Sequence, residues 1–287
     1  MFYSSGMFEP RAPNAERIKS GRGNARLALA SCVWYNSLQS ETKGGLFTEK
    51  RSFFFDLYGT LVDVRTDEKM PSLWRGMARY CSLGGAAYAP SELRTRYLAL
   101  CAQETAALVQ KSGLPEREVE IELRRVFRRL YAEKGVRVSA ARLNDTAIAF
   151  RALSYTRTPR LIPGARRTLD ELRRRGAKLF LLSNAQSCFT VPELRLLALS
   201  DSFDGVFLSS DFGCKKPSPA FFRGAMAAAG ITAEGLVMVG NDADADIRGA
   251  DGCRIESRYY HTHQSPPRSG ALPESCREIW ALTDLLL

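Results

Sequence analysis

From Ser52 onward the chain alternates short, nearly continuous apolar runs with longer segments whose apolar residues recur every three or four positions. The run SFFFD, Ser52 to Asp56, has no polar face until its last residue, so it reads as a parallel strand covered on both sides. AKLFLLS (177–183), GVFLSS (205–210) and GLVMVG (235–240) read the same way, and the more polar RIESRYYHT (254–262) is a weaker fifth strand. Between them lie the helix patterns ARRTLDELRRRG, VPELRLLALS and SPAFFRGAMAAAG, two of which end at glycines suited to a left-handed cap, Gly176 and Gly230. Strand and helix in alternation imply an α/β fold with a doubly wound parallel sheet.

The alternation is broken once. More than a hundred residues between the first two strands carry no strand pattern but contain SELRTRYLALCAQETAALVQ and EREVEIELRRVFRRLYAEKG. In the second, Val119, Leu123, Val126, Phe127, Leu130 and Tyr131 fall on one helical face. A structureless loop of that length is implausible, so the expectation is an inserted helical subdomain over 65–160, with the core made of 51–64 and 161–287. Residues 1–50 are turn-rich and weakly periodic, and read as a disordered N-terminal extension. Their apolar patch, Leu27 to Tyr35, is set too far from the first residue for a signal peptide.

Composition changes this picture little. With 45% apolar and 25% charged residues the chain reads as an ordinary globular protein, and no run approaches the roughly 20 apolar residues of a membrane-spanning helix. The formal charge of +10 sits largely in arginines such as those of ELRRVFRRL and ELRRRG, interleaved with apolar residues as on solvated helix faces. No stacking platform accompanies them, so nucleic acid is not an expected partner. Seven scattered cysteines without a C-x-x-C pair fit free thiols in a cytoplasmic, reducing setting. Nothing in the sequence bears on oligomeric state.

Chemistry collects at the carboxyl ends of the strands, where open parallel sheets bind ligands. Asp56 ends the first strand, Ser183 and Asn184 the second, and Asn241, Asp242, Asp244 and Asp246 follow GLVMVG, while Lys216 lies just beyond GVFLSS. A carboxylate, a small hydroxyl, a lysine and a second acidic group suit aspartyl attack on a phosphoryl group with Mg²⁺ offsetting negative charge. His261 and His263 alternate as on one strand face, a spacing open to a metal pair or to ordinary strand residues.

The four segments DLYGT, LLSN, KKP and GNDADAD, in this order at strand ends over about 52–265, resemble the haloacid dehalogenase-like hydrolase superfamily. That resemblance implies a Rossmann-like core with a helical cap inserted after the first strand. Carried over by position, Asp56 would be the nucleophile, Thr60 would orient the loop around it, and Ser183 would bind a phosphoryl oxygen. Asn184 would contribute its backbone N–H, and Lys216 would stabilise charge on the nucleophile and the transferring group. Asp242 would bind Mg²⁺ together with Asp56 and the backbone carbonyl of Tyr58, with Asp246 supporting the metal shell or Lys216. The substrate implied is a small phosphorylated metabolite.

Tyr58 departs from the phosphatase pattern, which carries a second aspartate there to protonate the leaving group. Loss of such an acid typically lowers the rate 10²- to 10⁴-fold for a poor leaving group. A tyrosine at this place resembles the 2-haloacid dehalogenases, whose halide needs no proton, yet those enzymes use no metal and lack a counterpart of Asp242. Phosphoryl transfer from a weakly basic leaving group, or from one protonated by a cap residue or water, satisfies both Tyr58 and Asp242. The alternatives are a dehalogenase that uses Asp56 without metal, and a degenerate member that binds without turnover.

Overall fold

The computed structural model describes residues 51–287. The expected N-terminal extension, its apolar patch and Cys32 lie outside the described residues. Eight strands occur among these: β1 (Ser52–Phe55), β2 (Val62–Thr66), β3 (Tyr155–Leu161), β4 (Lys178–Ser183), β5 (Gly205–Leu208), β6 (Leu236–Gly240), β7 (Glu256–Tyr260) and β8 (Cys276–Ile279). Six of them form one sheet in the order β5-β4-β1-β6-β7-β8, with every neighbouring pair parallel. The chain builds outward from β1 in both directions, so the strand order reverses there. Such a switch point leaves a crevice at the carboxyl ends of β1, β4 and β6.

The continuous apolar runs are explained by what each face covers. Phe53, Phe55, Leu179, Leu181, Val237 and Val239 face one layer of core, while Phe54, Phe180, Leu182 and Met238 face another. Of the helices that follow, α5 (Ala165–Arg174) and α6 (Ser187–Leu196) lie on the first face. After the short α7 (Ser209–Phe212), helix α8 (Pro219–Ala229) brings Phe221 and Phe222 to the second. Gly176 and Gly230 both follow their helices with positive φ, +85° and +65°.

Four helices lie between β2 and β3: α1 (Pro71–Leu83), α2 (Pro90–Ser112), α3 (Leu123–Glu133) and α4 (Ala140–Ser154). They enclose their own apolar cluster, in which Trp74, Tyr97, Phe127 and Phe150 make ring contacts at 5.2–6.1 Å. Cys188 and Phe189 of α6 join this cluster, so the insertion packs on the core helix that follows β4. None of the described helices is long and apolar enough to cross a membrane. The six described cysteines are free thiols.

Several expected boundaries shift. β2 and β3 form an antiparallel ribbon in a stretch that shows no strand pattern in sequence. The ribbon is short, half exposed and carries Pro159 and a register irregularity, so its alternation is weak. β8 is too short and polar to be seen, and β7 starts at Glu256 because Arg254 adopts positive φ. Ser209 and Ser210 leave the strand and open α7. The segment expected to run as one helix from Glu116 instead makes a single tight turn and then extends before α3 begins at Leu123. Its backbone pairs with the core: Glu120 N–H donates to Gly213 O at 3.2 Å, and Lys215 N–H donates to Glu118 O at 2.8 Å.

Candidate active site

β1 delivers Asp56 to the switch point, where its backbone N–H donates to Val239 of β6 at 2.9 Å. The next residues must turn at once toward the insertion. Gly59 makes that turn at φ +86°, and a Cβ there would lie 2.5 Å from the Asn241 amide. A side chain is therefore excluded twice, by backbone conformation and by space. The turn brings Thr60 back so that its hydroxyl lies 3.1 Å from Asp56 Oδ2 and 3.1 Å from Asn241 Oδ1.

Lys216 arrives from the other side. Its ammonium lies 2.8 Å from Asp56 Oδ1, 2.7 Å from Leu182 O at the end of β4, and 2.7 Å from Asp246 Oδ1. Three acceptors match the three N–H donors of a lysine that is 2% exposed. Burial alone would favour the neutral amine, but the carboxylates of Asp246 and Asp56 outweigh it and hold the Lys216 pKa above its ordinary value. Asn184 fixes the lysine's backbone: its Oδ1 accepts from Lys216 N–H at 2.8 Å and its Nδ2 donates to Lys216 O at 2.9 Å. The Asn184 side chain is thus committed to positioning Lys216, which leaves its backbone N–H for any ligand.

Asp246 is 1% exposed, with Oδ1 ion-paired to Lys216 at 2.7 Å and Oδ2 accepting from Asp242 N–H at 3.0 Å. Burial pushes its carboxyl up, against the opposing charge of Lys216. The close approach needs Gly240, since a Cβ there would lie 2.1 Å from Asp246 Oδ2. Asp242 caps the following turn, its Oδ1 accepting from Asp244 N–H and Ala245 N–H at 2.9 Å each. Its Oδ2 makes no hydrogen bond among the described residues. Ser183 ends β4 with a buried hydroxyl that has no hydrogen-bond partner among the described residues. Asp244 pairs with Arg248 at the surface.

The donor set suits a Mg²⁺ ion, which takes one or two carboxylates and completes its shell with carbonyl oxygens, water and substrate phosphate. Asp56, the unbonded Oδ2 of Asp242 and the Tyr58 carbonyl are of that kind. Asp246 has no oxygen to spare and can act only through Lys216 and the Asp242 backbone. No cluster of three or more His, Cys, Asp or Glu side chains suited to a metal occurs among the described residues. The two histidines in particular do not pair: His261 bonds Glu278 at 2.6 Å and stacks on Trp280, whereas His263 lies 4.0 Å from Asp63.

Two features escape sequence reasoning. Asn241, beside the expected ligand Asp242, is the residue that reaches Thr60, a contact signalled only by its place after β6. Tyr58 is the other: its hydroxyl donates to Glu193 Oε2 at 2.6 Å and lies 3.0 Å from Thr190 Oγ1. Glu193, on α6, also accepts from Arg151 Nε at 2.6 Å and from Tyr155 O–H at 2.5 Å, both at the end of the insertion. Burial first, and then the Glu193 charge, raise the Tyr58 phenol well above its usual pKa. No motif in the sequence links residue 58 to residues 151, 155 and 193.

The family described as haloacid dehalogenase-like hydrolase matches residues 50–253. The chain belongs to that family. A phosphoglycolate phosphatase of Aquifex aeolicus is 31% identical over 197 residues, 69% of this chain and 78% of the relative. A phosphoserine phosphatase of Thermus thermophilus is 37% identical over 126 residues, 44% of this chain and 49% of the relative. The chain spans about half the length of several curated relatives it matches, including the Thermus enzyme. A 2-haloacid dehalogenase structure from Pseudomonas syringae pv. Tomato has a TM-score of 0.56 at 20% identity, covering 83% of this chain and 97% of the other. At that identity the likeness establishes a shared fold.

Proposed function

We propose that the chain is a Mg²⁺-dependent phosphatase acting on a small phosphorylated metabolite through an aspartyl-phosphate on Asp56. The observation that carries the reading is the arrangement of Lys216 between Asp56 and Asp246, with the Ser183 hydroxyl at the adjacent strand end unpartnered among the described residues. The phosphatase names of the relatives in Aquifex and Thermus support the same reaction class.

In this reading an Asp56 oxygen attacks phosphorus, and the bond from phosphorus to the leaving-group oxygen breaks with its electron pair going to the leaving group. Water then attacks phosphorus, the bond from phosphorus to the Asp56 oxygen breaks with its electron pair restoring the carboxylate, and inorganic phosphate departs with the water's oxygen and protons. Thr60 and Lys216 hold the carboxylate in place before attack. The Lys216 charge opposes the repulsion between carboxylate and phosphate anion, and the Ser183 hydroxyl donates to a phosphoryl oxygen. Asp246 keeps Lys216 charged and aligned. Mg²⁺, held by Asp56, Asp242 and the Tyr58 carbonyl, would neutralise charge on the phosphoryl oxygens. The helical insertion serves as a cap that excludes water and selects substrate.

Tyr58 fits an enzyme that provides no acid at this position. Its proton is committed to Glu193 and its pKa is raised, which supports a weakly basic leaving group, as in an acyl phosphate, phosphoanhydride or aryl phosphate, over one that takes a proton from a cap residue or water. The same tyrosine favours a second reading, carbon–halide hydrolysis by Asp56 without metal, in which 2-chloropropionate releases chloride in EDTA. A phosphate-release screen over a metabolite panel, with and without Mg²⁺ and with Asp56→Asn as blank, decides between them. Phosphate release that survives Asp56→Asn overturns the mechanism.

A further inference from the structure

A cavity of about 520 Å³ lies beside the candidate active site, between the β2–β3 ribbon and the loop after β7. Its polar walls are Asp63, Arg160, His261, Thr262 and His263. It is joined to Asp56 by a continuous polar path: Asp56 Oδ2 to Thr60, Thr60 to Asn241 Oδ1, and Asn241 Nδ2 to Thr262 Oγ1 at 3.5 Å.

The charge at this cavity is unbalanced. Asp63 is 3% exposed and accepts from two guanidinium groups, Arg157 Nη1 at 3.0 Å and Arg160 Nε at 2.9 Å. One carboxylate cannot neutralise both. On the other wall, His261 is paired with Glu278, and Arg268 lies 3.9 Å from the same carboxylate. Gln264 donates to Asp63, and His263 is largely exposed beside it. The Arg160 side chain is 66% exposed, so Asp63 orients it without burying it.

We propose that this cavity binds a second anionic group of the substrate, a carboxylate or a phosphate, with Arg160 as its principal partner and His263 and Thr262 as further donors. A guanidinium held in place by a buried carboxylate presents a planar fork to such a group with little side-chain entropy left to lose. The substrate class is then a phosphate ester or anhydride whose leaving group carries its own negative charge. This rests on the reading of Asp56 as the phosphoryl acceptor.

Calorimetric titration of the full chain with three phosphonates of equal length tests it: hexylphosphonate, the same chain ending in a carboxylate, and the same chain ending in a second phosphonate. At least one doubly anionic probe binds about tenfold more tightly than hexylphosphonate, the scale of one charge-assisted contact, and the tighter of the two identifies the group. Arg160→Met removes that preference while hexylphosphonate binds as before. His263→Gln, at an exposed position, reduces the preference with an unchanged unfolding temperature. Equal binding of all three probes, or a preference that survives Arg160→Met, overturns the proposal. Phosphate release compared between the native chain and Asp56→Asn is scored separately. A failed nucleophile assignment therefore cannot be mistaken for a failed pocket.

Discussion

The hydroxyl of Tyr58 donates to Glu193 Oε2 at 2.6 Å, which ties the loop carrying Asp56 to the helical insertion through Arg151 and Tyr155. The residue at the place of an expected general acid is thus a structural link between core and insertion. Glu193 is 5% exposed and Arg151 stacks over the rings of Tyr58, Tyr155 and Phe189, so the link is shielded from water.

Tyr58→Phe removes one donor from Glu193 and leaves the others. The expected loss is about 1–2 kcal/mol of stability, read as a fall in unfolding temperature of roughly 3–6 °C. Turnover of an aryl phosphate stays within about threefold, because no acid has been lost. A fall of 10²-fold or more would show that the phenol donates its proton in the reaction.

Glu193→Ala leaves the little-exposed Arg151 guanidinium without its ion-pair partner, with only the more distant Glu68 charge acting on it. Breaking such a pair from one side costs about 3–5 kcal/mol. Arg151→Met on that background restores part of the loss, and a double-mutant cycle from chemical denaturation measures the coupling. A coupling of zero would mean that the contact contributes nothing to holding insertion and core together.

Gly240→Ala places a methyl group where Asp246 Oδ2 lies. Asp246 must move, and with it the support of Lys216. A displacement of about 1 Å at reacting groups lowers turnover by about 10²-fold, so kcat/KM should approach that of Asp246→Asn. Native kcat/KM in Gly240→Ala would show that the Lys216 to Asp246 contact is dispensable.

Asp63 titrates in a direction that stability measurements can read. Burial alone would raise its carboxyl, but hydrogen bonds from Arg160 and Arg157 prevail and hold it below the usual range. A folded-state pKa below the unfolded one means that the folded protein binds the proton less tightly. The stabilisation is therefore present above the unfolded pKa of about 4 and is lost as pH falls through the lowered folded value. Asp63→Asn should flatten the acid limb of stability against pH and change little at neutral pH slopes. An unchanged acid limb would contradict this.

The parts of the fold legible in sequence are those where local pattern and burial agree. SFFFD, AKLFLLS and GLVMVG are buried on both faces, and a polar residue ends or directly follows each: Asp56, Ser183 and Asn241. The β2–β3 ribbon and β8 are short, polar and pinned by partners distant in sequence, so no local period announces them. The same limit applies to the site. Asp56, Ser183, Lys216 and the GNDADAD segment stand out because they follow strands. The commitment of Asn184 to Lys216, of Asp242 to a cap and of Tyr58 to Glu193 depends on side-chain contacts across 2 to 135 positions, which spacing does not encode.

The most direct test of the proposed chemistry is kcat/KM over a series of phosphate esters and anhydrides of graded leaving-group pKa, with Mg²⁺ present and Asp56→Asn as blank. With Tyr58 committed to Glu193, kcat/KM should fall steadily as leaving-group pKa rises, and alkyl phosphates should be the poorest substrates. A flat dependence with efficient turnover of alkyl phosphates would contradict the account.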